Sequence, residues 1–164
     1  MSRSTITFGL HSITGGTPVV EVVCGFLLQG LHNKPTDHDS AIGVIKKDLE
    51  YYLGTEFGFI SIALPDLNDN DLDLFADVVS RCIRQIETWG DQIPLSEVDR
   101  MQDEGFLPKE ARYTRDMPTD YILDYFIQLK RMLAIPATYT APEEDRVTHY
   151  PIKKNQINQF LNRK

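Results

Sequence analysis

Residues 19–31 constrain this 164-residue chain more than any other segment. Glu21 is their only ionised side chain, and apart from Gln29 the remainder is apolar or glycine. A bilayer span needs about 18 consecutive apolar residues, and this run ends sooner, at His32. It therefore belongs inside a folded core. Its richness in β-branched residues, Val19, Val20, Val22 and Val23, favours a strand over residues 19–28. That strand would pair with residues 5–10, whose polar/apolar alternation has the period of a half-buried strand. Thr14-Gly15-Gly16-Thr17 would supply the hairpin turn. The alternative is a buried helix opening at Thr17-Pro18, because proline suits the first helical turn.

The chain as a whole reads as ordinary globular sequence, with 41% apolar and 25% charged residues. Its length fits one domain, and that composition with a core of this size excludes disorder, collagen-like repeats and a disulfide scaffold as whole-chain descriptions. A helix is expected over residues 40–53, with Ile42, Ile45, Leu49, Tyr52 and Leu53 on one side and Gly54 as its stop. Residues 57–64 read as a buried strand ending at Pro65. The clearest helix covers residues 71–89, where Leu72, Phe75, Val79, Cys82, Ile83 and Ile86 form one stripe and Asn68, Asp69 or Asn70 can cap it. Ser96-Glu97-Val98-Asp99 resembles a capping box opening a short helix. Residues 105–117 look irregular, and a last amphipathic helix is expected over 119–133. These elements add up to an α+β fold, a small sheet (N-terminal hairpin plus one further strand) packed with four or five helices, in a single domain over residues 1–136. Beyond it, Pro136, Pro142 and Pro151 punctuate an extended arm, 137–164, that closes in a short basic helix. There Ile157, Phe160 and Leu161 fall at the i, i+3, i+4 spacing of a helix docking in a groove.

Charge is unevenly distributed. The formal net charge is −7, yet residues 66–104 alone hold 11 acidic and 3 basic groups, while residues 105–164 hold 7 acidic and 10 basic. Phosphate neutralisation dominates nucleic-acid affinity, so direct nucleic-acid binding is not expected. A concentrated acidic face instead favours a basic protein partner and speeds the encounter. Its expected contributors are Asp69, Asp71, Asp73, Asp77 and Glu87. The two cysteines, Cys24 and Cys82, both sit among apolar neighbours and read as small buried hydrophobes. With a polar N-terminus that lacks a signal-peptide core, the expected compartment is a reducing cytoplasm.

Motifs for chemistry are sparse. His32, Asp37, His38 and Asp39 gather two imidazoles and two carboxylates in eight residues, the donor types that hard or borderline metals accept. A third imidazole could come from His11 or His149. Asp66, Asn68, Asn70 and Asp77 have the spacing of EF-hand ligands, but position six of that loop is Asp71 where the sharp turn needs glycine. There is no HExxH pattern, no GxSxG elbow, and neither a phosphate-binding glycine loop nor a dinucleotide fingerprint, so no cofactor is expected. The leading expectation is a non-enzymatic protein-binding or inhibitor protein that presents an acidic helix face to a basic partner. Immunity proteins and phage anti-defence proteins share that general character. Two alternatives stand beside it: a self-associating structural or assembly subunit using the basic C-terminal arm, and a metal-dependent enzyme at the His32/His38 loop.

Overall fold

A computed structural model describes residues 3–9, 11–55, 59–109, 113 and 116–135. The chain opens with an antiparallel hairpin, β1 (Arg3–Phe8) and β2 (His11–Gly16), in register from Arg3↔Gly16 to Phe8↔His11. The reversal is made at Gly9, whose φ of +58° lies in the left-handed region that glycine enters without a Cβ penalty. Gly15 and Gly16 are thus not the turn. They lie in β2, and Gly15 packs against the ring of Tyr125.

Residues 17–32 form a helix, α1 (Thr17–His32), with Pro18 in its first turn. This corrects the preferred strand over 19–28 in favour of the helical alternative. The reason is burial on every side: Val20, Val22, Val23, Cys24, Phe26, Leu27, Leu28 and Leu31 are all in the core. A helix enclosed all round has no polar face, and so no 3.6-residue period to read. α1 packs against both hairpin strands and against the three longest remaining helices, α2 (Ala41–Leu53), α3 (Asp69–Glu87) and α5 (Thr119–Leu133).

α2 begins as its sequence predicts. Ser40 is the cap, its Oγ accepting from Gly43 N at 3.0 Å, and Ile42, Ile45, Leu49 and Leu53 face the core. The short strand β3 (Ser61–Leu64) then joins β1 in parallel, giving the order β2-β1-β3. Parallel neighbours require a long crossover, and α1 and α2 lie within it. Ser4 fastens this junction from a fully buried position. Its Oγ accepts from Ile60 N at 2.8 Å and lies 3.1 Å from Thr17 Oγ1 at the start of α1.

α3 is capped by Asn68, whose side chain accepts from Asp71 N at 2.9 Å, and it buries Phe75, Val78, Val79, Cys82, Ile83 and Ile86. A two-residue ladder follows, β4 (Gln92–Ile93) with β5 (Met117–Pro118), and between them lies α4 (Leu95–Asp103). α4 starts at Leu95 after Pro94, so Ser96 sits inside the helix and caps nothing. The capping-box reading of Ser96–Asp99 is corrected accordingly. The free N–H of Leu95 is met instead by Asp116 Oδ1 at 3.0 Å. α5 packs along α3 and β2, and its buried Tyr125 donates from the phenol to Ile13 O at 2.9 Å. Among the described residues the fold is α+β, with five helices, a mixed three-stranded sheet and a two-stranded one. No helix among the described residues is long and apolar enough to cross a membrane. The arm over 137–164, with Ile157, Phe160 and Leu161, lies outside the described residues.

Candidate functional site

The acidic segment is built on the first half of α3. A buried stripe of large apolar side chains fixes the rotation of this helix, and the residues between them are turned outward. Asp69, Asp73 and Asp77 recur every fourth residue, so they line one edge of the helix over roughly 12 Å. Asp66, Asp69 and Asp73 are exposed, while Asp71, about 160° round the helix from Asp69 and Asp73, is partly buried. No lysine or arginine occurs between Asp66 and Ser80. Among the described residues, the only ion pair to this group is Asp77 with Arg81, at 2.8 Å.

Glu87 does not join the cluster. It lies roughly 27 Å along the axis from Asp69, with Arg81 and Arg84 between. The outer edge of α3 therefore changes sign along its length, acidic at the N-terminal half and basic before Glu87. In the first turn, Asp69 and Asp71 also oppose the positive end of the helix dipole. Helical backbone over Asp69–Glu87 precludes an EF-hand loop at Asp66, Asn68, Asn70 and Asp77. Of the further acids, Glu97 and Glu104 both bond to Arg100 on α4, which raises its already high pKa further. Among the described residues the exposed large aromatics are Tyr51, Phe59 and Tyr121, none of them on α3.

His32 and His38 line different depressions. His32 ends α1 and meets the ring of Phe106 edge-on, with centroids 5.4 Å apart, in a depression of about 380 Å3 shared with Gln29, Asn33 and Glu104. His38 lines a separate depression with Lys34, Thr36, Lys46, Lys47 and Glu50. Asp37 organises the loop: its Oδ1 accepts from Asp39 N at 3.3 Å, and its carbonyl accepts from Ser40 N and Oγ at 3.0 and 2.7 Å. Among the described residues, no group of three or more His, Cys, Asp or Glu side chains comes together in a way that could hold a metal. His11 is buried in β2 opposite Phe8, and His149 lies outside the described residues.

Two features escape a reading of the sequence. Glu21, the one charge of α1, accepts from the phenol of Tyr113 at 3.1 Å, and burial raises its carboxyl above the usual range. Nothing in the 92-residue separation announces that pair. The other is the gathering of Lys34, Lys46 and Lys47 beside His38. Lys46-Lys47 on the face of a helix that follows a Lys-bearing loop was its only sequence signal. Both cysteines are buried and unpaired, and burial pushes both thiols up, Cys82 to about 12. No protein-family model matches this chain, and no curated protein or solved structure matches it either.

Proposed function

We propose that this chain is a non-enzymatic binding protein that docks the N-terminal half of α3 on a basic partner. The observation that carries the reading is the run Asp66, Asp69, Asp71, Asp73. It places four carboxylates within eight residues, without an ion-pair partner among the described residues. A surface arranged for solubility alone intersperses both signs, whereas this edge is of one sign over its first two turns. The helix beneath is anchored by six fully packed apolar side chains, so the charges are held in a fixed pattern. Such a pattern speeds encounter with a complementary surface and selects against acidic ones. Anchoring contacts come from the partner or from neighbouring elements, since α3 itself offers no exposed aromatic.

The reading is tested by affinity capture from the producing cell with the wild-type chain and with D69N/D73N/D77N, followed by identification of what is retained. A basic protein held by the wild type and lost from the folded variant supports the proposal. Equal retention of the same proteins by both chains defeats it.

A further inference from the structure

Of the four basic residues in the first 65 positions, Arg3, Lys34, Lys46 and Lys47, three line one depression of about 380 Å3. That concentration is unexpected on a chain of net charge −7. It follows from how the loop before α2 lies along that helix. Gly43 and the lining residues Lys46, Lys47 and Glu50 fall at i, i+3, i+4 and i+7, which is one helical face. The loop supplying Lys34, Thr36 and His38 is pressed onto that face at Gly43. A Cβ there would clash with Asp37 O and lie 3.0 Å from His38 O, so only glycine admits the contact. Loop and helix thus enclose the depression from two sides.

Its electrostatics are unbalanced. Among the described residues none of the three lysines makes an ion pair, and the only carboxylate on the lining is Glu50. Lys46 is partly tethered, its Nζ donating to His32 O at 3.5 Å at the end of α1. Among the described residues, no such anchor is seen for Lys34 or Lys47. Three lysines and the Thr36 hydroxyl supply donors to the lining, and Glu50, on the same helical face as Lys46 and Lys47, supplies its carboxylate.

We propose that this depression binds the phosphate monoester of a small hydroxylated molecule, a sugar phosphate or a mononucleotide. The lysines and Thr36 would hold the phosphate oxygens, charge-assisted hydrogen bonds being the strongest available. Glu50 would accept from a neighbouring sugar hydroxyl. A bare phosphate leaves Glu50 facing an anion with no donor between them, so the carboxylate selects for the ester. The volume, about 380 Å3, sits near the lower bound of small-molecule sites, about 300–1,000 Å3, and suits one sugar phosphate. This site is independent of the acidic edge of α3.

The test is calorimetric titration of the full chain with inorganic phosphate, ribose 5-phosphate and adenosine monophosphate. Ribose 5-phosphate should bind more tightly than inorganic phosphate. Comparable affinity for the nucleotide identifies the sugar phosphate as the recognised unit, and a clear gain identifies the nucleotide. K34Q/K47Q, which leaves the Lys46 contact intact, should weaken binding about tenfold or more. E50Q should tighten inorganic phosphate and narrow the preference for the ester. The proposal is overturned if none of the three ligands binds at millimolar concentration, or if K34Q/K47Q, folded by circular dichroism, binds as the wild type does.

Discussion

Replacing Gly25 with alanine tests the packing of α1 directly. In an ordinary helix interior the change would stabilise by about 1 kcal/mol, because glycine is the poorer helix former. Here the new Cβ would lie 2.7 Å from Phe106 O, 2.7 Å from Leu107 Cδ2 and 3.1 Å from Met101 Cε. One obstacle is backbone, so relief requires moving the segment that follows α4 away from α1. Overpacking a core costs about 1–3 kcal/mol where the surroundings must shift, and with a main-chain atom in the way the upper half of that range applies. The net expectation for Gly25→Ala is a loss of about 1–2 kcal/mol, or a Tm lower by roughly 2–8 °C for a chain of this size. Gly30→Ala is the internal comparison. It offers the same helix-forming gain and meets one close obstacle, Val78 Cγ1 at 2.7 Å, so its change should stay within about 1 kcal/mol. Urea unfolding can be followed by circular dichroism and by Trp89, whose ring lies 5.9 Å from that of Phe26 on α1. A Gly25→Ala protein as stable as the wild type, or more stable, would refute the close approach of α1 to Phe106 and Leu107.

Three further outcomes are expected. Ser4→Ala removes the acceptor for the buried Ile60 N–H, and should cost about 1–3 kcal/mol by urea titration; a smaller loss would mean that another acceptor reaches that amide. Glu21 has a carboxyl raised by burial, so the folded state binds its proton more tightly than the unfolded state. The associated stability is full below the ordinary value of 4.5 and is lost as pH rises through the folded value. Glu21→Gln, which keeps an acceptor for Tyr113, should therefore gain on the wild type as pH climbs from 4 to 7, and a constant difference between the two would refute this sign. Cys24 and Cys82 should ignore a disulfide reagent in the native protein and both react in denaturant, because buried thiols with raised pKa carry almost no thiolate; rapid native labelling of either would contradict the packing.

The parts of the fold that announce themselves in the sequence are those with two different faces. α3 and α5 carry apolar stripes between polar edges, and α2 has Ser40 before it and Gly54 after it. α1 hides its periodicity because Val22, Val23, Cys24, Phe26 and Leu27 all find apolar neighbours. The composition of such a segment suits a buried strand as well as a buried helix, and Pro18 was the discriminating residue. The Gly15-Gly16 pair misled for a related reason. Glycine serves close approach as well as turns, and here Gly15 makes room for Tyr125. Likewise, Ser96 has the spacing of a cap, but Pro94 and the distant Asp116 side chain set where α4 begins. The acidic residues are legible as a group, yet only the helix axis shows that Arg81 and Arg84 divide Glu87 from the others. The lysine-lined depression depends on a loop folding back at Gly43, which no local pattern encodes.

On the reading proposed above, the first half of α3 steers a basic partner. The most direct test of that reading is the association rate of the captured partner as a function of salt, for the wild type and for D69N/D73N. Steering by a one-signed surface raises association rates by about 10- to 1,000-fold at low ionic strength and fades as salt screens it. The wild-type rate should fall steeply with added salt. The variant should start about tenfold slower and depend on salt less, with the dissociation rate changed little. Two curves with the same salt slope and the same low-salt rate would contradict the claim.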